Sequence, residues 1–171
     1  FVSIAADDIR NVVEQQYSEG RYWPKPLIQI NPNYQRKGTV QELANSGVLH
    51  PLCGDIFRTG KTEGKSDPLF LYKHQLEALA KGQQKQSYVV TTGTGSGKSL
   101  SFFIPVVDAI LKGKNEDPTP RTRAIVIYPM NALANSQLEE LDKFLVDFPA
   151  NEKPFTVSRY TGQESRAQRE N

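Results

Sequence analysis

The sequence predicts an α/β protein, a three-layer fold built on a parallel sheet and preceded by a small, mostly helical N-terminal element. Three observations predict it. Short β-branched runs alternate with amphipathic helical stretches from about residue 69 onward. A glycine-rich turn joins the first of those runs to an apolar helix. A polar stretch, 59–68, holds no large apolar residue and sets this pattern apart from what precedes it. Strand, helix, strand, helix, strand in that order calls for right-handed crossovers between parallel neighbours.

Taken in order, residues 1–18 place Val2, Ile4, Ala5, Ile9, Val12 and Val13 near helical spacing, with Gly20 as the stop. From Arg21 to Lys37 the prolines 24, 26 and 32 block helix, and Trp23 and Tyr34 read as packing anchors. Thr39 and Glu42 have capping-box spacing, so a short helix should start at Val40 and end near Gly47. The expected organisation is an N-terminal element over 1–58, a linker over 59–68 and the α/β part over 69–171. Within the last, a helix is expected over Tyr72–Lys81 with Gly82 as its stop, then a strand over Ser87–Thr92. A helix over Lys98–Leu111 follows, bent where Pro105 removes the hydrogen bond to the Ser101 carbonyl. A strand at Ala124–Tyr128, a helix from Asn131 to about Asp147 and a strand at Phe155–Tyr160 complete the pattern.

Composition narrows the function classes. With 171 residues, 37% apolar and 23% charged, the chain can bury a core and is not wholly disordered. Its longest apolar run, Phe102–Val107, is short and contains Pro105, which speaks against a membrane span. The net charge of +2 decides nothing about nucleic acid, because clustering matters more than the sum. The single cysteine, Cys53, permits no internal disulfide and fits a reducing, cytoplasmic setting. His50 and Cys53 have metal-ligand spacing, but no second pair completes the set, so Cys53 reads as a loop thiol.

The chemistry concentrates in Thr91-Thr92-Gly93-Thr94-Gly95-Ser96-Gly97-Lys98-Ser99, followed by Leu100. Glycines let the backbone curl so that amide N–H groups form an anion nest, and the helix that starts there adds its positive end. Lys98 would reach the β- and γ-phosphates and the Ser99 hydroxyl would ligate Mg²⁺. The usual pattern has glycine where this chain has Thr92; Gly93, Gly95 and Gly97 still permit the curl. Gln75 lies 23 residues before Lys98, and its carboxamide can donate to and accept from an adenine edge. Tyr72, one turn earlier, is placed to stack on the ring.

On these residues the chain resembles superfamily 2 helicases of the DEAD/DEAH type, over about 68–165. Their adenine-reading glutamine stands at the same spacing, their loop reads Thr-Gly-Ser-Gly-Lys-Ser/Thr, and Ile104-Pro105 is similarly placed. Pro129, Leu133 and Gln137 are similar to the family's motif Ia, which grips one nucleic-acid strand. The turn at Thr161-Gly162 resembles a second contact. The wording is most similar to large prokaryotic helicases of the Lhr/YprA-like group and to helicase subunits of phage-defence systems. The resemblance implies a RecA-like P-loop fold, ATP and Mg²⁺ as cofactors, and nucleic acid as partner, DNA ahead of RNA. It also leaves room for protein partners in a larger complex. Pro129, Asn131, Ala132, Gln137, Thr161 and Gly162 become the implied nucleic-acid contacts.

The family's acidic box and the arginine of a second motor domain are not found up to Asn171; Glu139, Glu140, Asp142 and Asp147 lie on an expected helix. The chain is therefore expected to belong to a longer protein, and these residues alone to cradle a nucleotide without hydrolysing it efficiently. Two other readings compete with a translocase: an ATP-gated binding subunit that does not unwind, and a small-molecule phosphotransferase. Gln75 at its spacing and the motif Ia likeness speak against the last.

Overall fold

The computed structural model describes residues 4–20, 34–93 and 95–161. The stretch holding Trp23 and the prolines 24, 26 and 32 lies outside them, as do Thr94 and Gly162. The chain divides into two compact units, with the boundary between Asn33 and Tyr34.

In the first unit, α1 (Asp7–Ser18) starts where Asp7 and Asp8 meet the positive end of the helix, and it stops at Gly20, whose φ is +70°. Arg10 reaches back to the Ile4 carbonyl at 2.7 Å and to Asp7 at 3.1 Å. No α1 side chain is buried.

The second unit opens with β1 (Arg36–Thr39), which leads straight into α2 (Val40–Asn45). The capping box forms as read: Glu42 N–H donates to Thr39 Oγ1 at 3.1 Å and Thr39 N–H to the Glu42 carboxylate at 2.9 Å. Next come α3 (Leu52–Ile56), β2 (Arg58–Thr59), a 3₁₀ turn (Lys61–Glu63), β3 (Asp67–Pro68) and β4 (Phe70–Tyr72). The expected linker 59–68 thus forms a hairpin, with Arg58 opposite Pro68 and Thr59 opposite Asp67. Lys61, its side chain 2% exposed, fastens this hairpin by donating to the Asp55 and Phe144 carbonyls and pairing with Asp147 at 2.9 Å. β1 pairs antiparallel with β4, Arg36 opposite Tyr72 and Thr39 opposite Phe70. Backbone bonds from Val40 to Leu69 and from Lys73 to Gln35 extend the pairing at both ends.

The helices α4 (Lys73–Gln83), α5 (Leu100–Glu116) and α6 (Asn131–Phe144) follow. Gly82, expected to end α4, sits inside it; a Cβ there would lie 3.0 Å from Pro105 Cβ, so glycine serves the close approach of α4 and α5. Pro105 lies within α5, as expected. The Ser101 carbonyl that it leaves without a helical donor accepts from Tyr88 Oη at 2.7 Å. Tyr88→Phe should therefore cost about 1 kcal/mol of stability by urea unfolding, and an unchanged midpoint would show the carbonyl satisfied otherwise.

One core joins both sides of the hairpin: Val40, Leu49, Ile56 and Phe57 are buried with Leu71, Ile104, Val107 and Leu145. The Asp108 carboxylate, buried, accepts from His50 N–H at 2.7 Å and from Lys112 at 2.9 Å, tying α5 to the turn before α3. Both nitrogens of the His50 ring are engaged, Nδ1 by Leu52 N–H and Nε2 by the Asn115 side-chain amide. Burial, with a smaller contribution from Asp108, pushes the Cys53 thiol up to about 12. Alkylation of Cys53 at pH 8 should accordingly proceed only on unfolding; rapid modification of the native chain would contradict its burial.

The parallel sheet is the expectation that the structure corrects. Among the described residues the sheets are two antiparallel pairs, and Ser87–Thr92, Ala124–Tyr128 and Phe155–Tyr160 carry no ladder. Val89, Ile125 and Ile127 are 87%, 81% and 87% exposed. A strand exists only through its neighbour, and parallel neighbours joined by long crossovers must first repay the entropy of closing them. Here Phe103, Ile104 and Val107 of α5 are buried in the core they share with residues 40–57, while Phe102 and Ile110 of the same helix are only partly buried. No helix of the described residues is long and apolar enough to cross a membrane.

Candidate nucleotide-binding site

The glycine-rich loop lies between the Ser87–Thr92 segment and α5. Gly95 and Gly97 have φ of +75° and +70°, a left-handed backbone that other residues resist, which is why this curl is written in glycine. Ser99, with helical φ and ψ, is the first residue outside α5. The Lys98 ammonium folds back onto the loop, donating to the Thr92 carbonyl at 2.9 Å and to the Gly93 carbonyl at 2.6 Å. Its partners are loop oxygens, and phosphate oxygens would offer it stronger ones. Within the loop, Thr92 Oγ1 and the buried Ser96 Oγ share a hydrogen bond of 2.5 Å.

Gln75 reaches the loop directly. It is 2% exposed; its Oε1 accepts from Tyr72 N–H at 2.8 Å and its Nε2 donates to the Gly97 carbonyl at 2.9 Å. A Cβ on Gly97 would fall 2.7 Å from that Nε2, a second reason for glycine there. His74 Nε2 lies 3.1 Å from the Ser96 carbonyl. Beside these contacts stands an aromatic group that the sequence reading missed in part. Tyr72 stacks on His74 with ring centroids 5.9 Å apart, and Tyr34 lies 5.4 Å from Tyr72 and 5.5 Å from His74. A Cβ on Gly93 would come within 3.2 Å of Tyr34 Oη, so Tyr34 borders the loop. Only the pairing of β1 with β4 carries it there, and no local signal marks it. A cleft of about 390 Å³ runs along α4 past His74, Glu77 and Lys81 to Thr92.

The Ser99 hydroxyl donates to Gln137 Oε1 at 2.6 Å, joining α5 to α6. Gln137, expected among nucleic-acid contacts, thus turns its carboxamide to the loop. Pro129, Asn131 and Ala132 are exposed at the start of α6. Arg159 donates to Asn135 Oδ1 at 2.6 Å, which brings the segment ending at Thr161 beside the second turn of α6. Leu100 opens α5, its N–H on the Gly97 carbonyl.

A glycine-rich loop at the head of a helix, with its lysine turned onto the loop, has the form of a phosphate-binding loop. The DEAD/DEAH box helicase family matches residues 72–171, and the chain belongs to that family, whose members have a RecA-like α/β fold. Among its relatives, the chain is 37% identical over 105 residues to Druantia protein DruE of Escherichia coli (strain UMEA 4076-1), covering 54% of this chain and 6% of that protein. It is 35% identical over 135 residues to the ATP-dependent RNA helicase rok1 of Neurospora crassa, covering 69% and 17%. With the uncharacterized ATP-dependent helicase YprA of Bacillus subtilis the identity is 34% over 100 residues, covering 58% and 12%. The chain therefore spans between 6% and 17% of the length of these relatives. No solved structure matches it.

Proposed function

We propose that the chain is the nucleotide-binding part of an ATP-driven motor that moves along nucleic acid, with the loop 92–99 cradling the phosphates. One observation carries this reading: Lys98, the left-handed glycines and Gln75 converge on one loop at the head of α5. Lys98 would exchange two carbonyl partners for β- and γ-phosphate oxygens. Ser99 would offer its hydroxyl to Mg²⁺, which supplies charge neutralisation on the phosphates when bound. Among the described residues no group of three or more His, Cys, Asp or Glu could hold a metal ion. Tyr72 and Gln75 would take the base, Gln75 by exchanging its bonds to Tyr72 N–H and the Gly97 carbonyl for the adenine edge, and the aromatic group beside the loop supports this.

The nucleic acid, read here as DNA, would lie across the exposed start of α6 and the neighbouring segment at Thr161. Helix-start N–H groups favour phosphate over base edges, so binding should depend weakly on sequence and fall steeply with salt. Titration of the full-length protein with single-stranded DNA and RNA at several salt concentrations reads this. A strong preference for one base sequence at fixed salt would contradict it, and tighter RNA binding would reverse the choice of DNA. Strand displacement driven by ATP in the full-length protein tests the motor itself; nucleic-acid binding gated by ATP without displacement would make it a gripping subunit instead.

A further inference from the structure

We infer that Gln137 is a positioning residue for Ser99, aiming the hydroxyl offered to the nucleotide's metal and linking it to the helix that begins at Asn131. The inference rests on the nucleotide-site reading above and goes beyond it by giving a residue of α6 a task at the phosphate loop. The contact atom of Gln137 is Oε1, which has no hydrogen, so Ser99 must donate across the 2.6 Å. A serine hydroxyl has one hydrogen and two lone pairs. With its hydrogen committed to Gln137, the rotor is held and both lone pairs are turned away from that bond. A neutral hydroxyl offers a divalent metal only a lone pair, so its direction decides whether it can ligate.

Without this acceptor the Ser99 hydrogen would seek another oxygen, and the loop displays carbonyls that already attract Lys98. The bond is also a tie between elements. Leu141 is the buried residue of α6, so polar bonds such as those from Ser99 to Gln137 and from Lys61 to the Phe144 carbonyl help to seat the helix. A change in how Ser99 is engaged therefore reaches the element whose first turn is the proposed nucleic-acid contact.

The test measures binding of a fluorescent ATP analogue to the full-length protein, with saturating Mg²⁺ and with EDTA. The wild type should gain affinity from the metal. Gln137→Met, similar in shape and without an acceptor, should lose about 10-fold of that gain while its affinity in EDTA stays near wild type. Gln137→Glu can only accept, so it should keep the gain. In a Ser99→Ala background Gln137→Met should change nothing further. A wild-type metal gain in Gln137→Met, equal losses with and without metal, or failure of Gln137→Glu to keep the gain would each overturn the inference and leave the nucleotide site standing. Absence of any binding by the wild type would instead overturn the nucleotide reading itself.

Discussion

Lys98→Ala should weaken ATP binding by the full-length protein by about 10- to 100-fold and abolish measurable ATP hydrolysis. The ammonium is the charged donor at the loop, and a hydrogen bond to a charged group contributes roughly 1.5–3 kcal/mol. It makes two carbonyl contacts at 2.9 and 2.6 Å, which water can replace because Lys98 is only half-buried. Stability should therefore fall by no more than about 1 kcal/mol. Equilibrium binding and a thermal melt together decide the matter. Unchanged ATP affinity in a well-folded variant would remove Lys98 from the site. A large loss of stability would make it chiefly a brace of the loop.

Gln75→Ala should show two separable effects. The first is on the fold: the Tyr72 N–H loses its acceptor, and the Gly97 carbonyl loses one of its two donors, keeping Leu100 N–H. With the side chain 2% exposed, water cannot readily take its place, and roughly 1–3 kcal/mol should be lost, a few degrees in Tm. The second is on base choice: ATP affinity should fall several-fold more than GTP affinity, because adenine offers the paired donor and acceptor that a carboxamide can read. Equal losses for both nucleotides would leave Gln75 with the structural task alone. Gln75→Glu sharpens the contrast, since it keeps an acceptor for Tyr72 N–H and faces the Gly97 carbonyl with a second acceptor in place of the donor. It should disturb the loop more than the helix start.

Gln75 also shows how reading and structure divide. Its distance from Lys98 marks it in the chain, yet nothing in that spacing reveals that both ends of the carboxamide are already engaged within the protein. The same holds for Gln137, whose place in a motif pointed to nucleic acid while its side chain meets Ser99. Tyr34 is the clearer omission. It stands two residues before β1, whose pairing with β4 brings it beside Tyr72, and no residue near it in sequence announces that pairing.

What the sequence determined by itself is whatever depends on a few consecutive residues. The Thr39–Glu42 capping box, the left-handed glycines at 95 and 97, the proline gap in α5 and the run of α6 from Asn131 all stand within two turns of their causes. Helix periodicity and caps are local chemistry, so they survive being read one window at a time. The tertiary structure alone decided which strands pair, that 58–68 form a hairpin instead of a linker, and that residues 40–57 share a core with α5. A β-branched run is only a capacity for strand. Its ladder bonds belong to a partner tens of residues away, and where no ladder forms, as at 87–92 and 124–128, Val89 and Ile127 face water while Ile104 and Val107 are buried with Val40 and Ile56.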